Sequence, residues 1–192
     1  MIYIVDNFLN KKLLDFVTKD LKNFDKVDMP DKSFWIKEAT PVFIEYIVQR
    51  LELIENKPIK NILGFFREAK KKQDDKWRIH NDSIINNEQP DRAIVLYLSN
   101  NKINKLNGTA FWKHKKYGDT YKKEKDIKEF NRMLKEDANN LSKWELKSIV
   151  DGKKNRLLSY PCNYFHSKYP NEFIKSRIVF VMFYKYEKEN KM

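Results

Sequence analysis

The sequence holds one cysteine, four glycines, six prolines and no long apolar run. Each shortage excludes something. Cys162, standing alone, can form neither an intramolecular disulfide nor a cysteine-based zinc knuckle. The longest strongly apolar run, Ile178 to Tyr184, is far too short to cross a bilayer as a helix. The opening Met1-Ile2-Tyr3-Ile4-Val5-Asp6 lacks a basic leader before a long apolar stretch, so no secretory signal is expected. The expectation is a soluble cytoplasmic protein with no membrane partner. There is no internal repeat and no Gly/Ser-rich or Pro-rich linker, and one domain over 1–192 is the economical reading. What is present suffices for a core: 41% of the 192 residues are apolar and 14% aromatic, which excludes a wholly disordered chain.

Arginine is also scarce. Of 39 basic residues, seven are arginines and 32 are lysines, and the net charge is +12. So much positive charge suits a polyanionic partner. Arginine, however, is the better geometric reader of phosphate and bases. Frequent Lys, Asn and Ile also match the residue usage of an AT-rich genome. A generally basic surface is therefore favoured over dedicated nucleic-acid binding.

The first 60 residues read as helical support after a short opening strand at Ile2–Val5. Asn10 caps a helix with Leu13, Leu14, Val17, Leu21 and Phe24 at helical spacing. Met29-Pro30-Asp31 reads as a loop. Thr40-Pro41 reads as an N-cap and first-turn proline, and Pro58 ends that second helix. From Asn61 the pattern changes to short strands: Ile62–Ala69, Trp77–Asp82, Arg92–Ser99, Thr109–Lys113, Trp144–Val150, Arg156–Tyr160, Tyr164–Ser167 and Ser176–Tyr186. A charged insert, 121–140, is expected to be helical at Ile127–Ala138. The expected fold is α+β, mainly β: a double-sheet jelly roll over 61–186 with helices packed outside. A sandwich of another topology fits the same pattern.

Three histidines occur, His80, His114 and His166. On a strand over 77–82, His80 and Asp82 would project from one face. With His166 they make two imidazoles and one carboxylate, a facial set that leaves open positions on an octahedral ion and suits Fe(II). Alternatively, His80 and Asp82 flank a surface loop and Asp82 caps its turn. Arg177 shares a strand face with Val179, Val181 and Phe183. Buried there it requires an anion, for which a bidentate carboxylate fits best; at the strand start it could instead reach solvent.

The ordered combination of these pieces resembles the Fe(II)/2-oxoglutarate-dependent dioxygenases, in particular their prolyl-4-hydroxylase-like branch with its short bacterial and phage forms. The resemblance covers about Leu63 to Tyr184. It includes His80-Asn81-Asp82, then Ala93-Ile94-Val95-Leu96-Tyr97-Leu98-Ser99, then Asn107-Gly108-Thr109-Ala110-Phe111. Asn155-Arg156-Leu157-Leu158 follows, then His166 and a basic residue, Arg177, eleven positions on. The family often has two glycines before Thr-x-Phe; here Asn107 stands for the first.

The resemblance implies that His80, Asp82 and His166 ligate Fe(II). It implies that Arg177 pairs with the distal carboxylate of 2-oxoglutarate, and that Tyr97 lines the cosubstrate pocket unless its strand register puts Leu96 inside. It implies hydroxylation of a substrate C–H bond by O2, with succinate and CO2 as co-products. The first-choice substrate is a peptide or protein side chain, proline included; a small molecule, or a nucleic acid or nucleobase, is the alternative. A jelly-roll binding module without catalysis is a third reading. For a viral source the compartment would be the host cytoplasm. The substrate would be faced by loops at Ser83–Asp91, Lys113–Lys125 and Ser167–Lys175. The aromatic and basic residues around His114 read as a strand running into a basic loop rather than a nucleic-acid platform. Cys162 reads as a small apolar residue.

Overall fold

A computed structural model describes residues 1–29, 32–70, 76–82, 85–86, 88–99, 107–120, 127–171 and 176–187. In chain order its elements are β1 (Tyr3–Val5), α1 (Lys11–Asp20), β2 (Asp25–Met29), β3 (Lys32–Glu38), α2 (Pro41–Glu55), β4 (Ile59–Ala69), β5 (Arg92–Tyr97) and β6 (Gly108–His114). There follow α3 (Ile127–Asp137), β7 (Trp144–Asp151), β8 (Leu157–Pro161), β9 (His166–Tyr169) and β10 (Arg177–Tyr186). Seven strands form one sheet in the order β1-β8-β5-β10-β4-β3-β2, and β7-β6-β9 form a second. The named strand pairs are antiparallel.

Local chemistry accounts for the two helices that open the chain. The Asn10 side chain accepts the Leu13 amide at 2.9 Å, and Thr40 Oγ1 accepts that of Phe43 at 3.3 Å. These caps satisfy amides that a helix start leaves without partners. Asn56 ends α2 in the left-handed region, with φ 51°. The helix turns Phe43, Ile47 and Leu51 onto the large sheet, against Ile94, Leu96 and Phe180. The rings of Phe43, Phe66 and Phe180 lie 5.0–5.3 Å apart by centroid, in the range for favourable aromatic pairs.

The other face of the large sheet is the inside of the sandwich. Every residue of β5 is buried, so it reads as a continuous apolar run rather than an alternation. Ile94 and Leu96 face the helices. Ala93, Val95 and Tyr97 face inward, with Phe111, Tyr160 and Val179. Tyr97 is therefore the inward residue of its pair, and Leu96 is not. A third cluster covers the outer face of the small sheet, where Phe130 and Met133 of α3 meet Trp112, Trp144 and Phe165. The charged insert thus supplies an apolar cover; its residues 121–126 lie outside the described set.

Two sequence expectations need correction. The helical support over 1–60 contains a hairpin, β2–β3, which extends the large sheet. It was hidden because Asp25, Lys26 and Asp28 give β2 no apolar alternation, as suits a charged edge strand. Pro30 and Asp31, between the two strands, lie outside the described residues. Trp77–Asp82 is not a strand. Arg78 has φ 49°, which breaks an extended run, and what remains is a single bridge between His80 and His166. Among the described residues no helix is long and apolar enough to cross a membrane.

Candidate active site

Residues 78–82 gain their shape from bonds to three other segments. The Arg78 amide donates to Asn139 Oδ1 at 2.9 Å and the Ile79 amide to Ala138 O at 2.9 Å, beyond the end of α3. The His80 amide donates to His166 O at 3.1 Å, and the His166 amide returns to His80 O at 2.8 Å. The Asp82 amide donates to Cys162 O at 2.8 Å, past the end of β8. Main-chain bonds alone thus bring together two histidines 86 positions apart in sequence. The shared face of His80 and Asp82 comes from this lacing, not from strand alternation.

His80, Asp82 and His166 offer ligand atoms that all lie within 4.8 Å of one another. Each imidazole donates Nδ1–H to the carbonyl two residues before it: His80 to Arg78 O at 2.7 Å, His166 to Tyr164 O at 3.0 Å. That makes Nδ1 the donor in each ring and turns both Nε2 atoms toward the site, the usual role of a backbone carbonyl behind a metal-ligating histidine. His166 Nε2 lies 3.3 Å from Asp82 Oδ2, and His80 Nε2 lies 3.6 Å from Asp82 Oδ1. For bonds of about 2.1 Å, adjacent ligands on an octahedron stand about 3 Å apart. In the neutral tautomers the three groups turn only lone pairs toward one another, an arrangement that a shared cation makes favourable. The donor set therefore fits a divalent first-row metal. The His80 side chain is 43% exposed, against 11% for Asp82 and 9% for His166, so the site opens on the His80 side.

Behind the carboxylate and His166 the interior is buried. The Tyr160 hydroxyl lies 3.1 Å from His166 Nε2, and its ring packs edge-on against Phe111. Burial pushes the Tyr160 phenol well above its ordinary pKa, and the charge of Asp82 adds to this, so it stays neutral. Further in, Arg177 is buried at the start of β10. Its Nη1 donates to Gly108 O at 2.6 Å, and its guanidinium carbon is 5.8 Å from the Tyr97 ring centroid. Burial lowers its pKa from the ordinary value, as expected for a cation out of water. Tyr97 hydrogen-bonds Thr109 Oγ1 at 2.7 Å, and burial raises its pKa. The inner face of the sandwich thus gathers a buried cation, two neutral phenols and apolar walls beside a three-donor cluster.

Other candidates take structural places. His114 is buried; its Nδ1 accepts the amides of Lys116 and Tyr117 at 3.1 and 3.3 Å, which leaves Nε2–H to donate to Asp137 at 3.1 Å. Every ring nitrogen is used, so it anchors a turn to α3. Burial and the Asp82 charge push the buried Cys162 thiol far up, so it is not a thiolate ligand. Ser83, Ile84, Asn87, 121–125 and Glu172–Lys175, parts of the three loops expected to face substrate, lie outside the described residues. Sequence reasoning missed Tyr160 and Thr109. Period-two spacing from Leu158 and from Phe111 puts both on the inner face and could have found them.

This architecture, a jelly roll with its histidines and carboxylate gathered at one end of the interior, is the fold of the Fe(II)/2-oxoglutarate-dependent oxygenases. HygX from Streptomyces hygroscopicus, solved with nickel and 2-oxoglutarate, matches at TM-score 0.62 and 12% identity over 96% of this chain and 82% of its own. A Pseudomonas putida prolyl-4-hydroxylase matches at TM-score 0.60 and 10% identity, over 97% and 93%. The viral collagen prolyl hydroxylase of Paramecium bursaria Chlorella virus-1, solved as its 2-oxoglutarate complex, matches at TM-score 0.57 and 11% identity, over 97% and 96%. At such identities the likeness is one of fold. The chain itself belongs to DUF6445, a family of unknown function, whose profile matches residues 67–171, just over half of it. No curated protein matches.

Proposed function

We propose that the protein is an Fe(II)- and 2-oxoglutarate-dependent oxygenase that hydroxylates a C–H bond, with a peptide or protein side chain as its substrate. The observation that carries the reading is the convergence of two tautomer-locked imidazoles and one carboxylate at an opening in the sandwich. A ferrous ion bound there supplies coupled oxidation: O2 and 2-oxoglutarate are consumed, succinate and CO2 leave, and one oxygen atom enters the C–H bond.

The chain's own residues do the rest. His80, Asp82 and His166 hold the metal on one side and leave its other positions open. Arg177 pairs with the distal carboxylate of 2-oxoglutarate, a charge-assisted bond in a water-poor site. Tyr97 and Thr109 line that pocket and keep it polar at one point only. Phe111, Val179 and Phe183 keep bulk water from the reacting centre. The exposed side of His80 is the entrance through which substrate arrives. The helices of 1–60 and the jelly roll work as one domain, because α2 holds the sheet that carries Arg177 and Tyr97.

A peptide substrate is favoured by the presence of prolyl hydroxylases among the structural neighbours. HygX, also solved with hygromycin B, favours a small molecule as the second choice. The net charge of +12 motivates nucleic acid as a third; salt-sensitive binding to DNA or RNA would support it, and absence of binding at low salt would remove it.

The class is tested by titrating the metal-free protein anaerobically with Fe(II) and then 2-oxoglutarate. The expected result is a visible charge-transfer band that requires both. No band under reducing conditions, with the protein folded, would overturn the reading and leave the fold as a binding module.

A further inference from the structure

Asn107 stands immediately before β6. Continuing the alternation of that strand by one residue puts it on the face of Thr109 and Phe111. That row spans the interior. Phe111 meets Tyr160 and His166 at ring centroid distances of 5.3 and 6.5 Å, and Thr109 meets the Tyr97 hydroxyl. Gly108, beside Asn107, gives its carbonyl to Arg177. Asn107 therefore occupies the Arg177 end of the row.

Its side chain is out of place for a purely structural residue. Asn107 is only 5% exposed, yet its Oδ1 is buried with no hydrogen-bond partner. Buried amide groups are nearly always paired, and one that is not calls for an explanation such as a ligand. The backbone cannot relax to relieve it. The Asn107 carbonyl accepts the Gly152 amide at 2.7 Å. A Cβ on Gly152 would lie 2.1 Å from that oxygen and 3.0 Å from Tyr97 Cδ1, and a Cβ on Gly108 would lie 1.8 Å from Val150 O. Two glycines thus let the segments that carry Asn107, Gly152 and Tyr97 close on this point.

We infer that Asn107 is a binding residue of the 2-oxo-acid pocket, acting with Arg177 on the distal carboxylate and so selecting a dicarboxylate over a monocarboxylate. A carboxamide carries an acceptor at one corner and two donors at the other, and half a turn about its last bond exchanges them. With 2-oxoglutarate present, Nδ2–H points inward and donates to a carboxylate oxygen that the guanidinium leaves available. The inference rests on the proposed pairing of Arg177 with that carboxylate.

The test uses the full chain loaded with nickel, which allows binding to be read without turnover. Calorimetric titrations with 2-oxoglutarate and with pyruvate compare wild type, Asn107→Ala, Asn107→Gly and Arg177→Ala. Asn107→Ala is expected to weaken 2-oxoglutarate at least tenfold, to leave pyruvate and nickel affinities unchanged, and to keep the ligand-free melting midpoint at or above that of wild type. A merely structural asparagine would instead lower the midpoint and spare 2-oxoglutarate. Should the alanine variant fold poorly, the glycine variant removes the same amide on the same backbone. If Arg177→Ala loses 2-oxoglutarate while both Asn107 variants keep it, the inference is wrong and the cosubstrate reading stands. If Arg177→Ala binds 2-oxoglutarate as wild type does, both fall together.

Discussion

Asp82→Ala is expected to abolish both the Fe(II)–2-oxoglutarate charge-transfer band and 2-oxoglutarate turnover, and to leave the protein folded. The carboxylate is the one anionic member of the donor set, and both of its oxygens approach an imidazole, at 3.6 and 3.3 Å. Removing a residue that merely orients a ligand costs about 10- to 100-fold in metal affinity, and removal of the ligand itself costs more. The fold has no comparable stake in it. The bond that ties this segment to Cys162 is made by the Asp82 amide, which alanine keeps. In the neutral tautomers the variant also loses a convergence of lone pairs. Iron binding measured with the band as readout, beside a circular dichroism melt, separates the two effects. A variant that still shows the band would remove Asp82 from the site.

Arg177→Ala is expected to weaken 2-oxoglutarate by about 30- to 4,000-fold, from the roughly 2–5 kcal/mol that truncating one partner of a buried charge pair costs at about 1.4 kcal/mol per decade. Iron affinity should not change, because the guanidinium is held on the Gly108 and Tyr97 side of the interior. Arg177→Met serves as the companion, since it fills much of the same volume with no charge. If methionine restores the melting temperature but not 2-oxoglutarate affinity, the arginine acts through its charge. If neither variant loses affinity, the buried cation serves the fold alone and the carboxylate lies elsewhere.

The candidate cluster is legible in the sequence by residue type, but not by the geometry that assembles it. His80, Asp82 and His166 read as a donor set from their side-chain chemistry, and period-two spacing along an expected strand pairs the first two. That strand does not exist: Arg78 takes a positive φ, and the pairing comes from amides laced to Ala138, Cys162 and His166. Such long-range bonds leave no periodic trace. Along β10, a strand of 10 residues, period-two spacing puts Arg177, Val179, Val181 and Phe183 on one face. The register question at Tyr97 had no answer in sequence because β5 is buried on both sides. The β2–β3 hairpin was invisible for the opposite reason, since an edge strand with three charges in five residues shows neither pattern.

If His80 and His166 hold a metal as proposed, the bridge between them ties metal retention to main-chain exchange. The amides that close it, His80 N–H and His166 N–H, exchange with solvent only when this one junction opens, and opening it parts the two imidazoles. Metal loss and deuterium uptake at these two positions therefore share a single opening event. A bound metal, by holding the junction shut, should slow exchange at both amides together and by the same factor, while amides at the core of the large sheet keep their own rates. Two-site exchange read residue by residue would measure how tightly the protein keeps its metal without any metal assay.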